Sequence, residues 1–297
     1  MIASYQNGDY TVTLMEDGTK IREWDCEDPN VEFPESVDLK ITNYCDLNCA
    51  FCHEKSTVDG KDARDGDIHN LIEGLPPGVE LALGGGNPLE YKGIEYLLEH
   101  IASKGIIANM TVNAGHLTPS NIELINKYRN QKLIHGLGVS LDKYYNFAVD
   151  EVRDENTVLH LVCGVHKTSA LRQCLSSGWG NKNKLKVLIL GYKQYGRGTD
   201  YFGNNVKKVT DNILKWKMFI ASFINSDEII VSFDNLALTQ LGIKDMIPER
   251  TWEEKYMGDD GCFTMFVDAV KMQYARSSVN THLPVDGRTI KELFKEL

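Results

Sequence analysis

The sequence predicts an α/β fold of the partial (β/α)6 kind, a TIM-like barrel of parallel strands with an N-terminal β-hairpin and a small α+β C-terminal cap. Three observations predict it. Seven short apolar runs, at residues 37–42, 79–83, 107–113, 136–141, 158–163, 185–190 and 229–233, recur with longer stretches between them. Most of those stretches carry apolar residues at helical spacing, the order expected of strand, crossover helix and parallel strand in succession. At both ends of the chain this rhythm gives way to hairpin patterns. A chain of 297 residues, 42% hydrophobic and 25% charged, can bury the core of one such domain with appendages.

Taken in order, residues 1–34 form the first extension. Tyr10-Thr11-Val12-Thr13-Leu14 and Lys20-Ile21-Arg22-Glu23-Trp24 flank Glu16-Asp17-Gly18, which reads as a hairpin closed by an Asp-Gly turn. Residues 35–235 hold the barrel. Within them, residues 93–104 place Ile94, Leu97, Leu98 and Ile101 on one helix face, and Ser120 opens a helix carrying Ile122, Leu124 and Ile125. Residues 168–175 and 206–223 supply further helices. Residues 236–297 form the cap, with a hairpin from 263–267 and 270–275 and a helix from Thr289.

Lys and Arg number 32 against 42 Asp and Glu, a formal charge of −10 that repels a polyphosphate and argues against duplex nucleic acid as a partner. No apolar run approaches the roughly 18 residues of a membrane span. The start, Met1-Ile2-Ala3-Ser4-Tyr5-Gln6-Asn7-Gly8, lacks a basic and apolar targeting pattern, so a cytoplasmic protein without membrane contact is expected.

Seven cysteines, an odd number with no secretory signal, argue against a disulfide scaffold. Cys26, Cys163, Cys174 and Cys262 stand apart. The other three form Cys45-Asp46-Leu47-Asn48-Cys49-Ala50-Phe51-Cys52, just after the first barrel strand, where a βα fold places its chemistry. Thiolates at this spacing can hold three corners of an iron–sulfur cubane and leave one iron open. Structural zinc is the competing metal, but it needs a fourth Cys or His, and His53 is awkwardly adjacent to Cys52. Three unrelated core cysteines are the remaining reading.

Cys-x3-Cys-x-aromatic-Cys, with Phe51 as the aromatic, resembles the signature of the radical SAM superfamily. The resemblance implies a [4Fe–4S] cluster on Cys45, Cys49 and Cys52 and S-adenosylmethionine on its open iron. One-electron reduction then yields a 5′-deoxyadenosyl radical that abstracts hydrogen from a C–H bond, the electron coming from a donor such as flavodoxin or ferredoxin. The likeness extends over residues 35–235. Leu83-Gly84-Gly85-Gly86-Asn87-Pro88-Leu89 resembles the family's Gly-Gly-Glu-Pro-Leu element, in which Gly84, Gly85 and Gly86 let backbone approach the methionine end of the cofactor. Aligned on Pro88, Asn87 stands where an acid is usual and could accept a hydrogen bond from the methionine ammonium without the charge. Asn113, in Thr111-Val112-Asn113-Ala114-Gly115, matches another cofactor-facing stretch. Ser140 and Asp142, on one face of a strand, resemble the pair that reaches ribose or substrate.

His160 on the following strand and Arg197 in the Gly-Arg-Gly loop complete the expected cofactor residues, Arg197 by pairing with a carboxylate. Each of these also has a purely structural reading: a strand-ending turn, a cap, a hydrogen-bonded histidine, an exposed arginine. Residues 261–277 resemble the hairpin that opens the C-terminal extension of SPASM/twitch-type peptide-modifying members, but the later cysteines are missing, which implies a single cluster. Cys262, in that hairpin, is the candidate hydrogen-atom donor, against the alternative of a buried structural cysteine. The expected substrate is a peptide or protein side chain, the alternative a nucleoside or other small metabolite. An alternative of another class is a catalytically silent iron–sulfur or electron-transfer protein.

Overall fold

The structure is a computed structural model that describes residues 1–25, 29–141, 147–176, 184–223 and 229–297. Asp142 and Cys26 lie outside these residues.

The alternation read in the sequence is realised in seven parallel strands: β4 (Ser36–Thr42), β5 (Glu80–Gly85), β6 (Ile107–Asn113), β7 (Leu137–Ser140), β8 (Thr157–Val162), β9 (Leu185–Leu190) and β10 (Ile229–Phe233). They lie side by side in chain order. Val37, Leu39 and Ile41 of β4, Leu81 and Leu83 of β5 and Val187 and Ile189 of β9 are all at most 1% exposed. These outward-facing residues join one core with the helices α1 (Asp65–Leu71), α2 (Ile94–Ser103) and α3 (Pro119–Asn130), through Ile68, Leu97, Leu98, Ile101 and Ile125. Thr118 caps α3 by accepting from the Asn121 N–H, with Pro119 at the first helical position. The alternate strand residues point into the barrel, and there the polar side chains collect.

Two elements differ from expectation. Between β7 and β8 the described crossover is a 3₁₀ turn, Phe147–Val152. The helix expected over residues 206–223 follows α4 (Thr168–Ser176) as α5 (Arg197–Phe223), extended backward into the Gly-Arg-Gly loop and broken at Asn205, whose φ of −139° is not helical. The glycines that suggested a loop therefore sit at the start of a helix, ahead of a kink.

Beyond α6 (Asn235–Leu241) and α7 (Glu249–Lys255) comes β11 (Thr264–Asp268), which pairs parallel with β4, Thr264 opposite Ser36 and Asp268 opposite Lys40. β12 (Gln273–Ala275) and β13 (Leu283–Pro284) continue the sheet antiparallel, before α8 (Ile290–Phe294) with its Thr289–Glu292 capping box. The sheet curls so that its flanks meet through side chains rather than a ladder among the described residues. Lys193 after β9 donates to Ser278 Oγ at 2.9 Å, and Asn235 after β10 donates to Asp260 Oδ1 at 2.7 Å.

The N-terminal hairpin, β2 (Tyr10–Leu14) and β3 (Lys20–Glu23), gains a further strand, β1 (Ala3–Asn7). It docks on the side where the barrel strands begin. Arg22 grips the fully buried Glu35 with two N–H donors at 2.7 and 3.0 Å, Tyr10 donates to the same carboxylate at 2.8 Å, and Lys20 bridges to Glu80 at 2.8 Å. The opposite side, where the strands end, is left for the site.

Candidate functional site

The chain leaves β4 at Thr42 and runs as a long loop to residue 62. Thr42 and Tyr44 form isolated bridges with Asp62 and Thr57, and the Cys45 N–H donates to the Thr57 carbonyl at 2.9 Å, so the loop is a folded strap. It carries Cys45, Cys49 and Cys52. All three are partly exposed, whereas Cys163 and Cys174 are buried. All three also line one cavity of about 210 Å³, whose wall is completed by Gly84–Gly86 after β5, Thr111, Val112 and Asn113 of β6, Ser140 of β7, His160 and Val162 of β8 and the Leu190–Lys193 segment after β9. Phe51 lines it as well. Of the expected site residues, the fold thus brings together the three cysteines, Phe51, Gly84, Gly85, Gly86, Asn113, Ser140 and His160.

The glycines have separate reasons. A Cβ on Gly86 would lie 1.9 Å from the Tyr44 carbonyl oxygen, so only glycine lets the two backbones pass. A Cβ on Gly84 would meet nothing within 4 Å and would stand in the open cavity. That bare cradle, facing three convergent thiols, fits a cluster with a bulky small molecule beside it.

Arg197, expected to pair with a cofactor carboxylate, is placed elsewhere and is corrected to a brace for the loop. Its Nε donates to the Cys49 carbonyl and its Nη1 to the Ser56 carbonyl, each at 2.9 Å, while its backbone N–H donates to the Cys52 carbonyl. Gly196, at φ +58°, makes the approach: a Cβ there would lie 2.2 Å from the His53 oxygen. Asn87 and Pro88 are also corrected. Asn87 is 2% exposed, its Oδ1 accepts from the Leu89 N–H at 3.2 Å, and it caps the short 3₁₀ helix Pro88–Glu90. Neither residue lines the cavity, because the turn they begin tucks beneath the strap.

Cys262 is exposed and precedes β11, level with the start of β4. The cysteine strap leaves the other end of β4, so about 20 Å of strand separates them. Cys262, expected as a hydrogen-atom donor, is therefore not among the residues that line the cavity of the three cysteines.

Electrostatics divide the site. Burial pushes the Cys45 thiol up, and the neighbouring Cys52 and Asp46 add to it against the Leu47 N–H and Arg197. Lys40, on the interior face of β4 and 2% exposed, is held by Glu54 of the strap and by Asp268 of β11 at 3.2 Å. Burial alone would raise the Glu54 carboxyl, but His53 and Lys40 outweigh it and hold it well below the usual carboxylate range. Burial depresses His160 to about 4, so it lines the cavity as a neutral imidazole at neutral pH.

Two cavity residues, Ser56 and Leu190, escaped the sequence reading. Thr111 had a signal in its alternation with Asn113.

Residues 39–173 match the Radical SAM superfamily. No curated protein matches the chain by sequence. Among solved structures, SuiB of Streptococcus suis bound to the precursor peptide SuiA superposes with a TM-score of 0.59 at 14% identity, covering 89% of this chain and 65% of SuiB. SuiB bound to S-adenosylmethionine gives 0.57 at 14% identity, covering 89% and 66%. AnSMEcpe with bound AdoMet and the Cp18Cys peptide gives 0.57 at 11% identity, covering 88% and 80%. The likeness is one of fold, and the chain spans about two thirds of the length of SuiB.

Proposed function

Since residues 39–173 match the Radical SAM superfamily, we propose that this chain is a radical SAM enzyme that modifies a peptide or protein side chain. The observation that carries the reading is the convergence of Cys45, Cys49 and Cys52 on one cavity with the bare Gly84. A [4Fe–4S] cluster held by Cys45, Cys49 and Cys52, with S-adenosylmethionine beside Gly84, would supply reductive cleavage of the sulfonium bond and, through it, hydrogen-atom abstraction from a substrate C–H bond.

The chain's own part is to hold and shield. Cys45, Cys49 and Cys52 are the ligands, and Arg197 holds the carbonyls of Cys49 and Ser56 on the strap that carries them. Gly84, Gly85 and Gly86 leave room for the methionine end, with Asn113 and Ser140 offering polar atoms from the next strands. His160, Val162 and Leu190 line the interior side with little charge, which favours exclusion of water around a reactive carbon. The peptide substrate is supported by the common fold with SuiB bound to its precursor peptide and anSMEcpe bound to a peptide. The electron is delivered by a one-electron carrier such as flavodoxin or ferredoxin, and the setting is cytoplasmic. No described helix is long and apolar enough to cross a membrane.

The test is anaerobic reconstitution with iron and sulfide, then dithionite and S-adenosylmethionine. The wild-type protein is expected to bind iron and release 5′-deoxyadenosine, faster with its peptide, and Cys45→Ala, Cys49→Ala and Cys52→Ala to release none. Zinc in place of iron, or an iron-loaded protein that cleaves no S-adenosylmethionine, would sink the reading.

A further inference from the structure

The turn that follows β6, the 3₁₀ helix Ala114–His116, rests on the cysteine strap, with a Cβ on Gly115 only 3.0 Å from Leu47 Cδ2. Side chains pin it at both ends. Asn113 Oδ1 accepts from the Gly115 N–H and Asn121 Nδ2 donates to the His116 carbonyl, each at 2.8 Å. The His116 side chain is 5% exposed, its Nε2 lying 2.9 Å from Asp46 Oδ1 and 3.9 Å from Cys45 Sγ. Its Nδ1 is buried without a hydrogen-bond partner among the described residues.

These contacts assign the proton. A carboxylate oxygen at 2.9 Å needs a donor opposite it, and a buried ring nitrogen with no acceptor is less costly bare than carrying a hydrogen. The neutral ring with its hydrogen on Nε2 satisfies both conditions. That hydrogen is shared between Asp46 and the sulfur of Cys45.

We propose that His116 is a positioning residue for the cluster. Its Nε2–H, steadied by Asp46, donates to Cys45 Sγ and draws charge from that sulfur, so that the cluster accepts an electron more readily. This role rests on the reading that Cys45 is a cluster ligand. Hydrogen bonds to ligand sulfurs and the charge around them are what a protein uses to set an iron–sulfur potential. His116 and Asp46 act in opposite senses: the donor eases reduction, and the exposed carboxylate opposes it.

The experiment is a reductive titration of the reconstituted holoprotein followed by electron paramagnetic resonance, with iron counted first. His116→Phe keeps a ring and loses the donor, His116→Gln keeps a donor, and Asp46→Asn removes the charge. At the wild-type midpoint, His116→Phe is expected to lower the ratio of reduced to oxidised cluster about tenfold, which is ~59 mV for a one-electron couple. His116→Gln should stay nearer the wild type, and Asp46→Asn should move the midpoint upward. An unchanged midpoint in iron-loaded His116→Phe, or Phe and Asn variants that move together, overturns the role. If the Phe variant fails to load, His116→Gln against Asp46→Asn decides, and equal midpoints there overturn it. Wild-type protein without iron defeats the cluster reading itself, whereas a loaded wild type with unshifted variants defeats the role of His116 alone.

Discussion

His160 stands on the interior face of β8 against Gly138, where a Cβ would come within 2.4 Å of its ring, and so the imidazole fits only because that neighbour has no side chain. Its folded-state pKa of about 4 lies below the 6.5 of a solvated histidine. As pH falls, the unfolded chain takes up this proton first, so stability is full above about pH 6.5 and drains away towards pH 4. At ~1.36 kcal/mol per pKa unit, the loss is of order 3 kcal/mol. Urea midpoints measured between pH 7.5 and 4.5 should show the decline, and His160→Gln should flatten it; parallel slopes would assign the decline to other groups. At this scale the sequence was half legible. The interior position of His160 follows from strand alternation, but its neutrality depends on burial that no local pattern reports. Asn87 shows the limit more sharply, because a turn-capping amide and a cofactor-binding amide look alike until the fold shows which N–H lies in front of the oxygen.

At the scale of elements, the cysteine strap depends on α5 as much as on β4. Arg197 replaces water at two carbonyls of the strap with the planar fork of a guanidinium, a geometry that lysine cannot reproduce from a single ammonium. Arg197→Met and Arg197→Lys should both loosen the strap. In the apo-protein, mass-mapped thiol labelling of Cys49 and Cys52 is expected to quicken several-fold in each variant while Cys262 labels as before, and iron loading should fall. Labelling rates equal to the wild type in both variants would remove the brace. The cysteine spacing, the strands and the helices α2 and α3 are visible in the sequence because period-2 and helical patterns are local. The backward extension of α5 is not, since glycine on either side of Arg197 lowers helical propensity, and it is contacts with the strap and the Tyr192 hydroxyl on the Gly198 carbonyl that hold that first turn.

For the whole molecule, the consequential feature is that β11 runs beside β4 within the same sheet. Met265 and Val267 are at most 1% exposed, and Asp268 supplies one of the two carboxylates around the buried Lys40. A chain ended at residue 260 would expose the β4 edge and leave Lys40 with Glu54 alone, so we expect it to aggregate or lose its cooperative thermal transition. A soluble fragment with an intact transition would show instead that residues 261–297 are an independent cap.

Local chemistry is written in the chain itself: three thiols at a spacing that can share a cluster, glycines where backbone must pass close, and alternating strands that send polar residues to one face. Tertiary structure decided which of these groups meet. It set Arg197 on the carbonyl of Cys49, 148 positions away, carried His116 to Cys45 across 71, and left Cys262 at the far end of the strands. The reason is physical: spacing along a chain fixes geometry within a turn or a strand, whereas contacts between distant segments depend on sheet order, register and curl, which only the packed core selects.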